Sequence, residues 1–158
     1  MFSIQSVNLA TSPVLCAFLQ EQWGGDTVVS RGVIHKIDTL CGFAAMQGTE
    51  LMGLVTYDMR DGVCEIVTLD SVAETQGVGS ALLSAVFDNA KAQGCNRVWL
   101  ITTNDNTHAI RFYQRRGFTM TALHVNAIEE SRRLKPQIPL YGFDDIPILH
   151  EIEFEKPL

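Results

Sequence analysis

"ETQGVGSALL", residues 74–83, sets two glycines one residue apart, follows them with Ser80, and runs on into a pattern fit for a helix. A helix that begins directly after a glycine turn presents its first N–H groups, and with them the positive end of its dipole, to whatever lies in front. Glycines let an anion approach that backbone closely, so the stretch offers a phosphate site, or else a purely structural tight turn. Two familiar phosphate turns fail here. The nucleotide P-loop ends in Gly-Lys-Ser/Thr, whereas Gly79 is followed by Ser80 and Ala81. The dinucleotide fingerprint needs a third small residue where Leu82 stands.

Outward from the turn, "VCEIVTLD" (63–70) reads as a strand before it, and Gly77 to Ala92 as a helix ended by Gly94 in a left-handed conformation. "GFAAMQ" (42–47), "LMGLVTYD" (51–58) and "VCEIVTLD" form an antiparallel meander, with Asp61 and Gly62 in one of its turns. Residues 2–7 alternate as a half-buried strand, and Ser12 and Pro13 open a helix that runs to Trp23. "DTVVS" (26–30) suits a short strand. "RGVIHKIDTL" (31–40) is ambiguous, reading as a loop or a short helix bordering a site.

Beyond the central helix come the strand "NRVWLIT" (96–102), the helix "NTHAIRFYQRR" (106–116) stopped by Gly117, and the strand "FTMTALHV" (118–125). A short helix, "NAIEESRRL" (126–134), a proline-punctuated loop (135–148) and a final alternating strand "HEIEFE" (150–155) complete the order. One mixed α/β domain over residues 1–158 is the simplest architecture, antiparallel first and crossing over through helices later.

At 158 residues, 46% hydrophobic, the chain can build a proper core without staples. A net charge of -6, with no basic run, argues against a nucleic-acid partner. No apolar run approaches the roughly 20 residues that span a bilayer, so no membrane partner and a cytoplasmic location are expected. Cys16, Cys41, Cys64 and Cys95 form no CxxC pair and are expected to be buried thiols. The histidines at 35, 108, 124 and 150 are scattered, so no metal is expected.

About thirty residues after the glycine turn, "NTHAIRFYQRRGF" (106–118) carries the spacing Asn-x-x-Ala-x-x-Phe-Tyr-x-x-x-Gly-Phe on the helix after the next strand. With "CEIVTLDS" and the glycine turn before it, the chain resembles the GCN5-related N-acetyltransferase (GNAT) superfamily, in an uncharacterised bacterial branch. The resemblance implies an α/β fold with a mixed, mostly antiparallel sheet, helices on both faces and a splayed central strand pair. It also implies acetyl-CoA as cosubstrate. Backbone N–H groups of Gln76, Gly77, Val78, Gly79 and Ser80 would receive its diphosphate, with the Ser80 hydroxyl as an extra donor. The strand end at Thr68 and Leu69 would pair with the pantetheine amides, because the next strand diverges there. Asn106 would bond the pantetheine arm or fix the local backbone. Tyr113 would lie near the thioester sulfur as the acid for the departing thiolate. The family turn usually opens with Arg or Gln where Glu74 stands; a carboxylate pointing inward would repel a diphosphate.

The activity so implied is N-acetylation of a primary amine, on a small molecule or a protein, by direct attack. The alternative is a module of the same fold that binds or senses CoA without turnover. A lysine-like amine has a reference pKa near ~10 and must lose a proton before attacking. Glu65, placed on the same strand face as Val67 and Leu69, is the first candidate base, with Asp70 as substitute; pairing of Glu65 with a cation on a neighbouring strand is the structural alternative. Tyr113 has the alternative of a core aromatic. Arg111, Arg115 and Arg116 are read as a solvated helix face rather than ligands of the CoA 3'-phosphate, and Trp23 as either core or cleft border. The loop "YGFDDIPIL" (141–149) and the last strand offer a surface for a homodimer.

Overall fold

The computed structural model describes residues 1–72 and 77–158. Seven strands form one sheet in the order β1-β4-β5-β6-β7-β9-β8, and β2 and β3 form a separate two-stranded ribbon. The strands are β1 (Ser3–Asn8), β2 (Thr27–Ser30), β3 (Val33–Lys36), β4 (Cys41–Gln47), β5 (Glu50–Arg60), β6 (Val63–Ser71), β7 (Arg97–Thr103), β8 (Thr119–His124) and β9 (Glu151–Pro157). The helices are α1 (Pro13–Trp23), α2 (Val78–Ala92), α3 (Thr107–Arg115) and α4 (Ile128–Leu134). Every pairing in the large sheet is antiparallel except β6 with β7. That one is parallel because α2 carries the chain back to the start of the next strand.

Two apolar clusters lie on opposite faces. Leu82, Leu83, Val86 and Ala90 of α2 pack with Val55, Cys64, Ile66, Val98 and Phe154 on one face. On the other, Leu19 of α1 packs with Leu9, Val28, Ile37, Leu54 and Val67. Each buried leucine contributes roughly 1.5–3 kcal/mol relative to exposure, so the sheet is held from both sides.

The segment 31–40 is neither loop nor helix at its start. Arg31 and Gly32 both take positive φ (47° and 74°), the geometry of a two-residue turn that matches strand twist. The turn folds Ser30 back on Val33 and Val28 back on His35, and a single 3-10 turn follows at Ile37–Thr39. An arginine in a left-handed position hides the hairpin signal.

The thiols are not uniformly buried either. Cys64 is, Cys16 and Cys95 are half-buried, and Cys41 at the start of β4 is exposed. No helix among the described residues is long and apolar enough to cross a membrane. Along the edge strand β8 and the loop before β9, Leu123, Leu140, Tyr141 and Phe143 stand exposed.

Candidate active site

Two local irregularities build a cleft at the centre of the sheet. The ladder between β6 and β7 runs only from Val63 with Arg97 to Ile66 with Leu100. Beyond it β6 stays with β5, through Thr68 with Thr56, Leu69 with Val55 and Asp70 with Leu54. β7 stays with β9, through Ile101 with Glu153 to Thr103 with Glu151. The facing edges of residues 67–70 and 101–103 therefore carry no ladder to each other, and an extended amide-bearing ligand can take it up. This is the divergence expected at Thr68 and Leu69.

The second irregularity is a bulge. The β5–β6 register shifts between Thr56, opposite Thr68, and Tyr57, opposite Ile66, which leaves Val67 as the extra residue. One extra residue reverses the alternation beyond it. Val67 joins the α1-side cluster while Leu69 packs with the α2-side core. Glu65 thus shares its face with Val67 but not with Leu69, against the simple alternation read from the sequence; Asp70 takes the α1 side instead, where Trp23 reaches it.

The unpaired edge of β6 leads through residues 73–76 to α2. Gln76, a proposed diphosphate ligand, and Glu74 lie outside the described residues. Gly77 is the N-cap in a left-handed conformation (φ 75°), and no side chain among the described residues caps the helix. Its carbonyl accepts the first helical bond, from Ala81 N at 3.0 Å. The amides of Val78, Gly79 and Ser80 thus have no acceptor within the helix and point out along its axis. Gly79 has a separate reason to be glycine: a Cβ there would sit 2.8 Å from Cζ of Phe112, so α2 and α3 approach too closely for a side chain.

α3 brings a cation to this helix start. Arg116 donates from Nε to Ser80 Oγ at 2.9 Å and from Nη1 to the Phe112 carbonyl at 3.1 Å, and its guanidinium lies 3.6 Å from the Phe112 ring centroid. It is half-exposed, and it reaches across to α2 instead of standing alone in solvent. Arg116, the Ser80 hydroxyl and the first amides of α2 are donors of the kind that can hold an anion, and the hydrogen-bonded Arg116 and Ser80 stand at the helix start. Asn106 caps α3, its side chain accepting from Ala109 N at 3.1 Å, and so fixes the local backbone.

Tyr113 is buried, with 7% exposure, against Phe112, Phe118 and Phe154. Burial pushes its phenol well above the usual range, and the nearby Asp70 carboxylate pushes in the same direction. The phenol therefore stays protonated throughout the neutral range. Asp70 itself is raised by burial, offset in part by the hydrogen bond it accepts from Trp23 Nε1 at 2.9 Å. Trp23 borders this region rather than the deep core. Its place at the end of α1 is fixed by Lys135, which donates to the carbonyls of Trp23 (2.6 Å) and Thr27 (2.5 Å).

Glu65 stands one residue before the point of divergence and is 7% exposed. Ser30 donates to its Oε2 at 2.6 Å, and His35 Nε2 lies 3.3 Å from its Oε1. Both partners come from the β2–β3 ribbon. At the ribbon's tip, Arg31 binds the buried Glu151 carboxylate through its backbone N–H (3.3 Å) and Nη1 (3.2 Å), and Ser131 of α4 also donates to Glu151. The ribbon thus lies across the cleft, tied to β6 on one side and β9 on the other. Neither Ser30 nor His35 was singled out from sequence; the signal available was the pair of β-branched runs around Arg31-Gly32.

The comparisons agree with this geometry. The Acetyltransferase (GNAT) family model matches residues 11–118. Two uncharacterized Bacillus subtilis proteins resemble the chain over nearly their whole length. YdhI is 44% identical over 144 residues, 90% of each chain, and YxbD is 40% identical over 146 residues, 92% of each. A crystal structure of a Bacillus subtilis acetyltransferase in complex with CoA shares the fold, with a TM-score of 0.69 at 17% identity, covering 100% of this chain and 99% of that one. The match of the family model over residues 11–118, on a splayed sheet with a helix that opens at Gly77 and an Asn/Tyr helix beside it, establishes that the chain belongs to the GNAT acetyltransferase family.

Proposed function

We propose that this chain is an acetyl-CoA-dependent N-acetyltransferase that acetylates a primary amine, on a small molecule or a protein, by direct attack. The observation that carries the reading is the edge of β6 at residues 67–70 that β7 leaves unpaired, on the strand before the glycine N-cap of α2. The amides of Val78, Gly79 and Ser80, with Arg116, would hold a diphosphate. The backbone at Thr68 and Leu69 would hold the amides of the pantetheine arm. When bound, acetyl-CoA supplies an acyl group activated as a thioester. Glu65 takes a proton from the incoming ammonium, Tyr113 gives one to the departing sulfur, and the second proton that the nitrogen sheds as the C–N bond forms restores the phenol.

Direct attack is favoured over an acyl-cysteine because Cys64, the thiol on β6, faces the α2-side core. Burial pushes it up to about 12, so almost no thiolate exists at neutral pH. One observation favours the second reading, a domain that binds CoA without turnover: Tyr113 packs as a core aromatic.

Melting the protein with and without acetyl-CoA, then following thiol release on adding an amine, separates these outcomes. A ligand at 100 times its dissociation constant stabilises by about 2.7 kcal/mol, roughly 5–10 °C for a domain of this size. A shift with amine-dependent thiol release is expected. A shift without release supports the binding module, and no shift overturns both.

A further inference from the structure

His35 is 4% exposed, and the groups that face it come from three strands. Glu65 of β6 lies 3.3 Å from its Nε2, Asp58 of β5 has Oδ2 3.6 Å from its Nδ1, and Ser30 Oγ of β2 is 3.3 Å from Nε2. Asp58 is in turn paired with Arg60 Nε at 2.8 Å. Arg31 at the ribbon's turn and Lys36 on β3 line the adjoining cavities. Asp58 and Glu65 are directly opposed across β5 and β6, so two carboxylates stand side by side with one imidazole laid over both. Two cavities, of about 250 and 140 Å³, share His35, Asp58 and Arg60 in their walls, on the side of Glu65 away from the divergence of β6 and β7.

We propose that His35 is a positioning residue for the reaction, acting through Glu65 as the next station for its proton and leading that proton towards Asp58 and the outer cavities. The inference rests on Glu65 being the base. The ammonium gives a proton to the Glu65 carboxylate, leaving the neutral amine and a carboxylic acid. That acid passes the proton to Nε2 of neutral His35, which restores the carboxylate and makes an imidazolium between Glu65 and Asp58. The imidazolium then loses one proton to solvent on the Asp58 side. Protons balance and no electrons change hands. The Ser30 hydrogen bond meanwhile holds Glu65 in one rotamer, with Oε1 turned to the ring.

The test uses the full-length protein, with benzylamine, spermidine and an alanine-terminated peptide as amine probes. His35→Gln keeps a polar side chain of similar length but cannot accept and release a proton. It is expected to lower kcat about tenfold or more with acetyl-CoA affinity unchanged, and to flatten the pH profile of kcat. Adding it to Glu65→Gln should cause little further loss, since His35 acts only through Glu65. Unchanged kcat and pH profile in His35→Gln, or losses that multiply in the double variant, would overturn the inference.

Imidazole ¹⁵N signals supply a readout without turnover. Glu65→Gln should displace the His35 pair alone among the four histidines; an unmoved pair overturns the inference. If wild type acetylates none of the probes, the proposed reaction falls, while the ¹⁵N signals still decide whether Glu65 and His35 share a proton. If His35→Gln fails to fold, the Glu65→Gln spectrum carries the test by itself.

Discussion

Glu65→Gln is expected to reduce kcat for amine acetylation by about 10²–10⁴-fold, the range usual for loss of a positioned general base. The dissociation constant for acetyl-CoA should stay within about twofold, because the change removes proton transfer and leaves the backbone donors alone. The amide still accepts the Ser30 hydroxyl proton, so the local fold has a partner for its shortest contact there. Asp70→Asn is the companion measurement. Asp70 also faces the α1 side near the divergent strands, and burial raises it. Its asparagine would still accept from Trp23 Nε1, and most of the rate should survive. A collapse of kcat in Asp70→Asn with Glu65→Gln near normal would move the base to Asp70.

Tyr113→Phe has the second largest expected effect, a fall in kcat of about a hundredfold. Phenylalanine fills the same nest of Phe112, Phe118 and Phe154, so the stability cost should be under about 1.5 kcal/mol. Acetyl-CoA binding should hardly change. Because burial and Asp70 both raise the phenol, it stays protonated as pH rises through the neutral range. Any rise of rate with pH there comes from deprotonation of the base or of the amine, and should persist in Tyr113→Phe at a lower level. A variant with unchanged kcat would reduce Tyr113 to a core aromatic and favour the binding-module reading.

How much of this was legible in the sequence follows from how local each feature is. The glycine turn, the cap at Asn106 and the stop at Gly117 are signalled by residues within one turn of where they act, and the structure has Asn106 capping α3 and Gly117 at φ 87°. β3 is hidden behind Arg31-Gly32, whereas the strands β4, β5 and β6 and their antiparallel succession follow from hydrophobic period and the turns between them. The insertion of β9 between β7 and β8 does not, since that pairing is set by register between distant segments.

The bulge at Val67 escaped because alternation assumes a uniform strand, and one extra residue reverses every side chain after it. Arg116 read as surface because its partner Ser80 is on another helix, 36 residues away. Ser30 and His35 were invisible for the same reason: Ser30 meets Glu65 only when a ribbon 35 residues earlier folds over the sheet. The residues around the diphosphate cradle are thus encoded along the chain. Those around the proton are encoded only in the packing.

Amide resonances test the central claim most directly, because main-chain donors, rather than basic side chains, are asked to do the holding. On titrating ¹⁵N-labelled protein with CoA, the account predicts large shifts at Val78, Gly79 and Ser80 and at Thr68 and Leu69, saturating together. Shifts confined to the arginine side chains, with those five amides unmoved at saturation, would contradict it.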